Sequence, residues 1–172
     1  PDPSVQANAA WSLGWVGRGA DAPRLIELAA HRDVAVAGNA VASLGQLVVR
    51  GQHDAVDSIC AALADERAYV RANALATLHA VGKRCTDGST ERQMLASDPS
   101  PLVRERAAML LWRVGSPDPR ADERALRRCL LDDRSGRVAQ ACRHEPDEAV
   151  SDRVEPVVVF VVPDGRSTPV AR

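Results

Sequence analysis

A chain of 172 residues is long enough for one domain with a hydrophobic core, or for a handful of stacked repeats. Its 22 basic and 23 acidic residues leave a formal net charge of −1, which gives no overall attraction to nucleic acid or anionic lipid, so neither partner is expected. Aromatic residues make up only 3% of the chain, and small and aliphatic residues dominate its hydrophobic 45%, a composition that favours helices over a β-sandwich.

Similar stretches recur along the chain: ANAAWSLGWVG from Ala7, GNAVASLGQLV from Gly38 and ANALATLHAVG from Ala72. A fourth, weaker copy follows, and the successive copies are 31, 34 and 33 residues apart. Each has apolar residues on one stripe of a helix, which predicts an amphipathic α-helix in every copy. The apolar columns are Val5, Val36, Val70 and Val103; Ala9, Ala40, Ala74 and Ala107; Leu13, Leu44, Leu78 and Leu111; and Val16, Leu47, Val81 and Val114. The all-alanine column predicts a helix neighbour too close to admit a larger side chain.

Shorter apolar stretches alternate with these copies and predict a second set of helices. They read APRLIELAA, AVDSICAALA, ERQMLAS and ERALRRCLL, and each runs into an aspartate that is suited to cap the next helix. These aspartates are Asp33, Asp65, Asp98 and Asp132. The predicted repeating unit is therefore a helix, a loop, a second helix and an Asp turn.

Paired helices with a period of 31 to 34 residues are typical of α-solenoids. The chain resembles the short HEAT-like repeat family, whose second helix begins near D-x-x-V-R and continues A-x-x-x-L-G. The pattern occurs as DERAYVRANALATL from Asp65 and DPSPLVRERAAMLL from Asp98, with weaker copies at Asp2 and Asp33 and a degenerate last copy near Arg143. The resemblance implies an all-α fold, an α-solenoid of about four HEAT-like helix pairs. It also implies that Arg71, Arg104 and Arg137 tie successive repeats together through aspartates or backbone carbonyls.

The start of the chain is expected to expose an apolar face. In the HEAT-like pattern the helix from Pro3 to Gly17 is the second of its pair, so its apolar stripe has no first helix to cover it. We expect additional repeats of the same protein upstream, the alternative being a degenerate N-terminal cap.

The composition of the sequence changes after Pro146. Six consecutive apolar residues, Val157 to Val162, lie between prolines and are followed by the turn former PDG, which predicts a short β segment at the C-terminus. The predicted domains are a solenoid over 1–146 and a linker plus β-strand and turn over 147–172. We interpret the second as the start of a β domain; the strand could instead fold back on the solenoid or add to a partner's sheet.

Neither cysteines nor histidines form a recognisable metal-binding pattern. Cys60, Cys85, Cys129 and Cys142 show no C-x-x-C pairing and are expected to be reduced core thiols; localisation stays open, with a cytoplasmic location favoured. One dipeptide, His144-Glu145, resembles the metal-binding pairs of HEAT-like deoxyhypusine hydroxylases, which need several such pairs. No catalytic motif occurs, so we expect no metal, no cofactor and no enzymatic activity.

The predicted function is a protein-interaction or scaffold module that binds a helix or peptide on the concave surface of the solenoid. Small residues on that surface suggest a shallow trough between bulky ends; they are Ala7, Gly14, Gly38, Ala42, Gly45, Ala72 and Ala76. The candidate partner-binding residues are Trp11, His79, Lys83, Met109 and Trp112. Alternatively, the tryptophans pack internally and the chain is a structural spacer without its own ligand. HEAT-like DNA glycosylases and bilin lyases are weaker alternatives, because the basic concave face of the former is not evident and only small residues favour the latter.

Overall fold

The computed structural model describes residues 2–143, and the regular secondary structure within them is helical. Short 3-10 turns at Gly19–Asp21 and Ala62–Ala64 accompany the α-helices. The helices are α1 (Pro3–Val16), α2 (Ala22–Ala29), α3 (Val34–Val49), α4 (Ala55–Ala61), α5 (Ala68–Val81), α6 (Ser89–Ser97), α7 (Pro101–Arg113), α8 (Pro119–Asp132) and α9 (Gly136–Arg143). The all-α prediction is confirmed; the predicted C-terminal β segment lies outside the described residues.

The helices form two layers. In one layer α1, α3, α5, α7 and α9 pack each against the next, and we call them the second helices. In the other layer α2, α4, α6 and α8, the first helices, pack against the second helix that follows them. The described residues thus contain four helix pairs preceded by α1, as expected for a solenoid-like stack.

The core lies between the two layers and is built from the predicted columns. Val36, Val70 and Val103 are fully buried, as are the alanines Ala40, Ala74 and Ala107. The first helices supply residues such as Leu25 and Ile59 to the same core. Burying one aliphatic side chain of this size contributes roughly 1.5–3 kcal/mol, so the repeating apolar stripe is the main source of cohesion between the layers.

The α1 stripe is the exception, as the sequence predicts. Val5 and Val16 are 63% and 79% exposed, although Val36 and Leu47 at the equivalent positions of α3 are fully buried. The difference arises because no first helix precedes α1 within the described residues.

Aspartates at the turns act in two different ways. Asp33 caps α3 by accepting hydrogen bonds from the backbone N–H groups of Ala35 and Val36, as predicted. Asp65 and Asp98 lie further from the next helix, and each accepts a hydrogen bond from the N–H two residues on. In the last turn Asp133 takes this role, whereas the sequence suggests Asp132.

Arginines tie consecutive repeats together. The guanidinium of Arg71 donates to both carboxylate oxygens of Asp98, at 2.8 and 2.9 Å, and Arg104 does the same to Asp133, at 2.7 and 3.0 Å. Arg104 also donates to the backbone carbonyl of Asp98. Its hydrogen bonds are the main cause that lowers the pKa of Asp133. Arg137 differs, because its exposed side chain pairs with Glu105 instead of with a turn aspartate.

The four cysteines form two disulfides, so the prediction of reduced thiols is wrong. Cys60 at the end of α4 pairs with Cys85 in the turn before α6, and Cys129 of α8 pairs with Cys142 of α9. The sequence spacing shows no motif because the bridges depend on helix packing, which places the two Cα atoms of each pair 5.7 and 6.1 Å apart. Disulfides persist in oxidising environments, so the cysteines no longer support a cytoplasmic location.

Removing a disulfide is expected to destabilise the solenoid. The bridges close chain segments of 25 and 13 residues, and each double substitution, Cys60→Ala/Cys85→Ala or Cys129→Ala/Cys142→Ala, should lower the free energy of unfolding by about 3 kcal/mol. Urea unfolding followed by circular dichroism measures the change. The variant lacking both bridges is the control, since a reducing agent should shift the wild-type transition but leave that variant unaffected. A wild-type transition indifferent to reduction would contradict the pairing.

Candidate functional site

The second helices leave one face uncovered by the first helices, and we call it the open face. It corresponds to the predicted concave surface and runs across four stacked helices. By helical register its members are Trp11 and Trp15 of α1; Ala42, Gln46 and Val49 of α3; Ala76 and Ala80 of α5; and Met109 and Arg113 of α7. Lys83 lies beyond the end of α5, after the left-handed Gly82. Val49 is 61% exposed, while Ala42 and Gln46 are nearly buried and form the floor.

Most of the small residues assigned to a trough are not on this surface. Ala7, Gly14, Gly38, Gly45 and Ala72 are buried, because they face the neighbouring second helix. The glycines allow that close approach. A Cβ on Gly14 would lie 2.5 Å from Ser43 Oγ, and one on Gly38 would lie 2.6 Å from Asn73 Nδ2. The structure therefore corrects the predicted trough. These small residues form the close contacts between neighbouring second helices, and we call those contacts seams.

Polar side chains complete the seam between α1 and α3. The Asn39 amide donates to the carbonyl of Ala7 at 2.9 Å, and the Ser43 hydroxyl donates to the carbonyl of Ala10 at 2.8 Å. Arg50 donates to the carbonyls of Gly14 and Trp15 at the end of α1. These bonds fix the position of α1 against α3, so the open face has a defined backbone geometry.

Trp112 occupies a seam rather than the open face. Its indole N–H donates to the carbonyl of Ala141 in α9, at 3.1 Å, and its ring packs on the core. This placement matches the internal-packing alternative, so we leave Trp112 out of the binding surface proposed below.

At the other end, Trp11 and Trp15 of α1 form an edge-to-face pair with ring centroids 5.4 Å apart. Trp15 is 50% exposed, and Trp11 is half-buried. The sequence pattern selects Trp11 as a candidate binding residue and does not select Trp15. The i, i+4 spacing of the two tryptophans is the signal that places both on one side of the helix.

His79 lies near two arginines of α7, the helix that carries Met109, and the sequence pattern selects neither arginine. His79 is half-buried between α5 and α7, close enough to Arg106 and Arg113 for their charges to act on it. Burial first, and then these two arginines, lower the pKa of His79 to about 4, so its imidazole is neutral at neutral pH. Lys83 is exposed in the turn that follows α5, after the left-handed Gly82. Arg113 could have been identified from the sequence, because it is four residues after Met109 and therefore on the same side of the helix.

The described residues also form cavities away from the open face. A cleft of about 710 Å³ separates α6 from α8, lined by Leu95, Ala125, Arg124 and Arg128 among others. A smaller one of about 300 Å³ lies beside Trp112. Residues 2–143 contain no cluster of three or more His, Cys, Asp or Glu side chains able to hold a metal ion. Among the same residues, no helix is long and apolar enough to cross a membrane.

The stacked helix pairs define the molecule as a repeat protein of the α-solenoid class. Residues 1–83 match the family model described as HEAT repeats, which supports the resemblance seen in the sequence. A search of curated proteins gives no match. HEAT repeats are commonly scaffolds for protein interactions and are generally non-enzymatic.

The environment of His79 leads to a pH prediction. Its imidazole should stay neutral down to about pH 4, and Arg113→Gln should raise its pKa part of the way towards 6.5, because burial remains the larger cause. Since the unfolded chain binds this proton at higher pH, the residue lowers stability as pH falls from 6.5 to about 4. NMR titration of the imidazole protons measures the pKa, with Arg127→Gln on exposed α8 as the matched control. Titration of wild-type His79 near 6.5 would contradict the described environment.

Proposed function

We propose that the chain is a protein-interaction module that binds a helix or an extended peptide of a partner protein along the open face. The observation that carries the proposal is the open face itself, a strip that reaches the solvent at the tryptophans of α1, at Val49 of α3, at Ala76 and Ala80 of α5 and at Met109 and Arg113 of α7. Trp11, Lys83, His79 and Met109 belong to this strip or border it.

The composition of the strip supports binding of a protein segment. Aromatic residues, Met and Arg are enriched at protein interfaces, and Trp15, Met109 and Arg113 provide one of each. Packed helices hold these side chains, so little backbone ordering is needed when a partner binds. The small side chains of Ala76 and Ala80 let a peptide approach the backbone of α5.

The alternative is a structural spacer without its own ligand, which is favoured by the internal packing of Trp112. The two functions differ in a simple way. A spacer tolerates replacement of open-face residues without loss of any binding, whereas an interaction module does not.

Selection from a random peptide library displayed on phage tests the module directly. We expect peptides that bind the wild-type chain at least about tenfold more tightly than Trp15→Ala/Met109→Ala, a loss of about 1.4 kcal/mol. The matched control is Ile26→Ala/Leu131→Ala, which removes two exposed apolar side chains from the first helices. Circular dichroism verifies that the variants fold equally. If no peptide is enriched, or if the open-face variant binds as well as the control, the spacer replaces the module.

We also propose that further repeats of the same protein precede α1. The apolar stripe of α1 is exposed at Val5 and Val16, and in the three following second helices a first helix covers the same positions. An amphipathic helix like α2 supplies the matching leucines. The predicted β domain over 147–172 remains a proposal on residues outside those described.

A grafted helix tests the upstream repeat. In the graft, a second copy of residues 17–32 is joined directly before Asp2, which occupies the same register as Asp33. Covering the two exposed valines of α1 should raise the free energy of unfolding by roughly 2–3 kcal/mol. The control carries the same graft with Leu25→Asp/Leu28→Asp in the added copy only. Equal stability of the graft and its control in urea would show that the α1 stripe does not accept a first helix.

A further inference from the structure

Charge is distributed unevenly between the two layers. The second helices α1, α3, α5 and α9 contain no Asp or Glu, and α7 contains one, Glu105. That carboxylate is already engaged, because Arg137 donates to both of its oxygens at 2.8 and 3.0 Å. The helical acidic residues therefore lie almost wholly on the first helices. The net charge of −1 conceals an open face that carries no free carboxylate among the described residues.

Three cations near α5 and α7 lack a carboxylate partner within residues 2–143. Lys83, Arg106 and Arg113 form none of the salt bridges, while Arg71 and Arg104 are each held by an aspartate. The guanidinium of Arg106 donates a hydrogen bond to the sulfur of Met109, at 3.7 Å. Because Arg71 and Arg104 are engaged in joining repeats, the cations near α5 and α7 are the ones available to a ligand.

His79 lies beside these cations and has an unused polar atom. Its Nε2 is buried and has no hydrogen-bond partner among the described residues. Buried polar groups in proteins are nearly always paired. The nitrogen is enclosed by the protein, so a ligand's polar group pairs with it after the surrounding side chains move, and then gains a hydrogen bond that the protein alone does not provide.

We propose that the segment bound on the open face is an acidic peptide, with carboxylates near Lys83, Arg106 and Arg113 and apolar side chains towards Trp15 and Val49. This inference rests on the proposed function and specifies the chemistry of its partner. Neighbouring helices are about 8–10 Å apart, so a peptide crossing from α7 to α1 needs about 8–9 extended residues.

A nucleic acid fits the same surface less well. Binding through the DNA backbone depends on many cations that each neutralise a phosphate, and the three unpaired cations near α5 and α7 share the strip with exposed Trp15 and Val49. A mixed strip of cations and apolar side chains matches an acidic peptide with hydrophobic residues.

A pair of synthetic peptides of about twelve residues tests the inference on the full chain. One has leucines and a tyrosine at one end and four glutamates at the other; its twin has glutamines in place of the glutamates. At about 0.15 M salt, fluorescence anisotropy of the labelled peptides should show the glutamate peptide binding about tenfold more tightly than its twin. Lys83→Glu/Arg113→Glu should abolish the difference. Arg120→Glu/Arg127→Glu, an equal charge change at exposed positions of α8, should preserve it.

The site of binding can be read independently, since Lys83 is the only lysine of the sequence. Carbodiimide coupling followed by mass spectrometry should join Lys83 to a glutamate of the bound peptide. The pKa of His79 should rise on binding, because a carboxylate offsets the charge of Arg113.

The outcomes separate this inference from the proposed function. If the twin binds as tightly as the glutamate peptide, or if library-selected peptides that need the open face are neutral or basic, the acidic partner is wrong while the module stands. If neither synthetic peptide binds, the acidic partner is also overturned, and the library selection decides on the module. Coupling of Lys83 to the chain's own carboxylates between Glu145 and Glu155 would overturn a partner in trans, because the chain would then occupy its own surface.

Discussion

The close approach of consecutive second helices is the constraint on which the rest of the structure depends. Alanine and glycine at the seams bring the helix backbones together, and a Cβ on Gly38 would collide with Asn73 and Tyr69 of the next helix. At such short range, Asn39 and Ser43 can reach the carbonyls of α1, so polar groups reinforce a packing that small side chains permit. The layer of first helices then has only to cover the remaining apolar stripe.

This constraint also determines what surface is left for a partner. Most of the small residues that the sequence assigns to a trough are buried in the seams. Only a narrow strip between neighbouring seams reaches the solvent. The strip is small in the middle and bulky at the ends, because α3 contributes Ala42 and Gln46 while α1 contributes two tryptophans. A narrow strip on a rigid stack suits a single peptide segment better than a broad protein surface.

Arginine serves two purposes in this chain, and the difference lies in the partners. Arg71 and Arg104 meet the turn aspartates of the following repeat and hold the stack in register. Arg106 and Arg113 are on the same α7 helix as Arg104, but their side of the helix faces no carboxylate of the described residues. The layer of second helices thus has arginines that are paired with aspartates at its edge and arginines that remain available on its open face.

The sequence by itself determined the repeat, the helix pairs, the apolar columns and the exposed stripe of α1, because a period near 33 residues and a helical spacing of apolar residues are properties of local sequence. Tertiary structure alone decided which small residues became seams, where Trp112 points and how the cysteines pair. These outcomes depend on which helix lies beside which. Two cysteines 25 residues apart become partners, and a tryptophan one turn from Met109 turns towards α9, only after the helices have stacked.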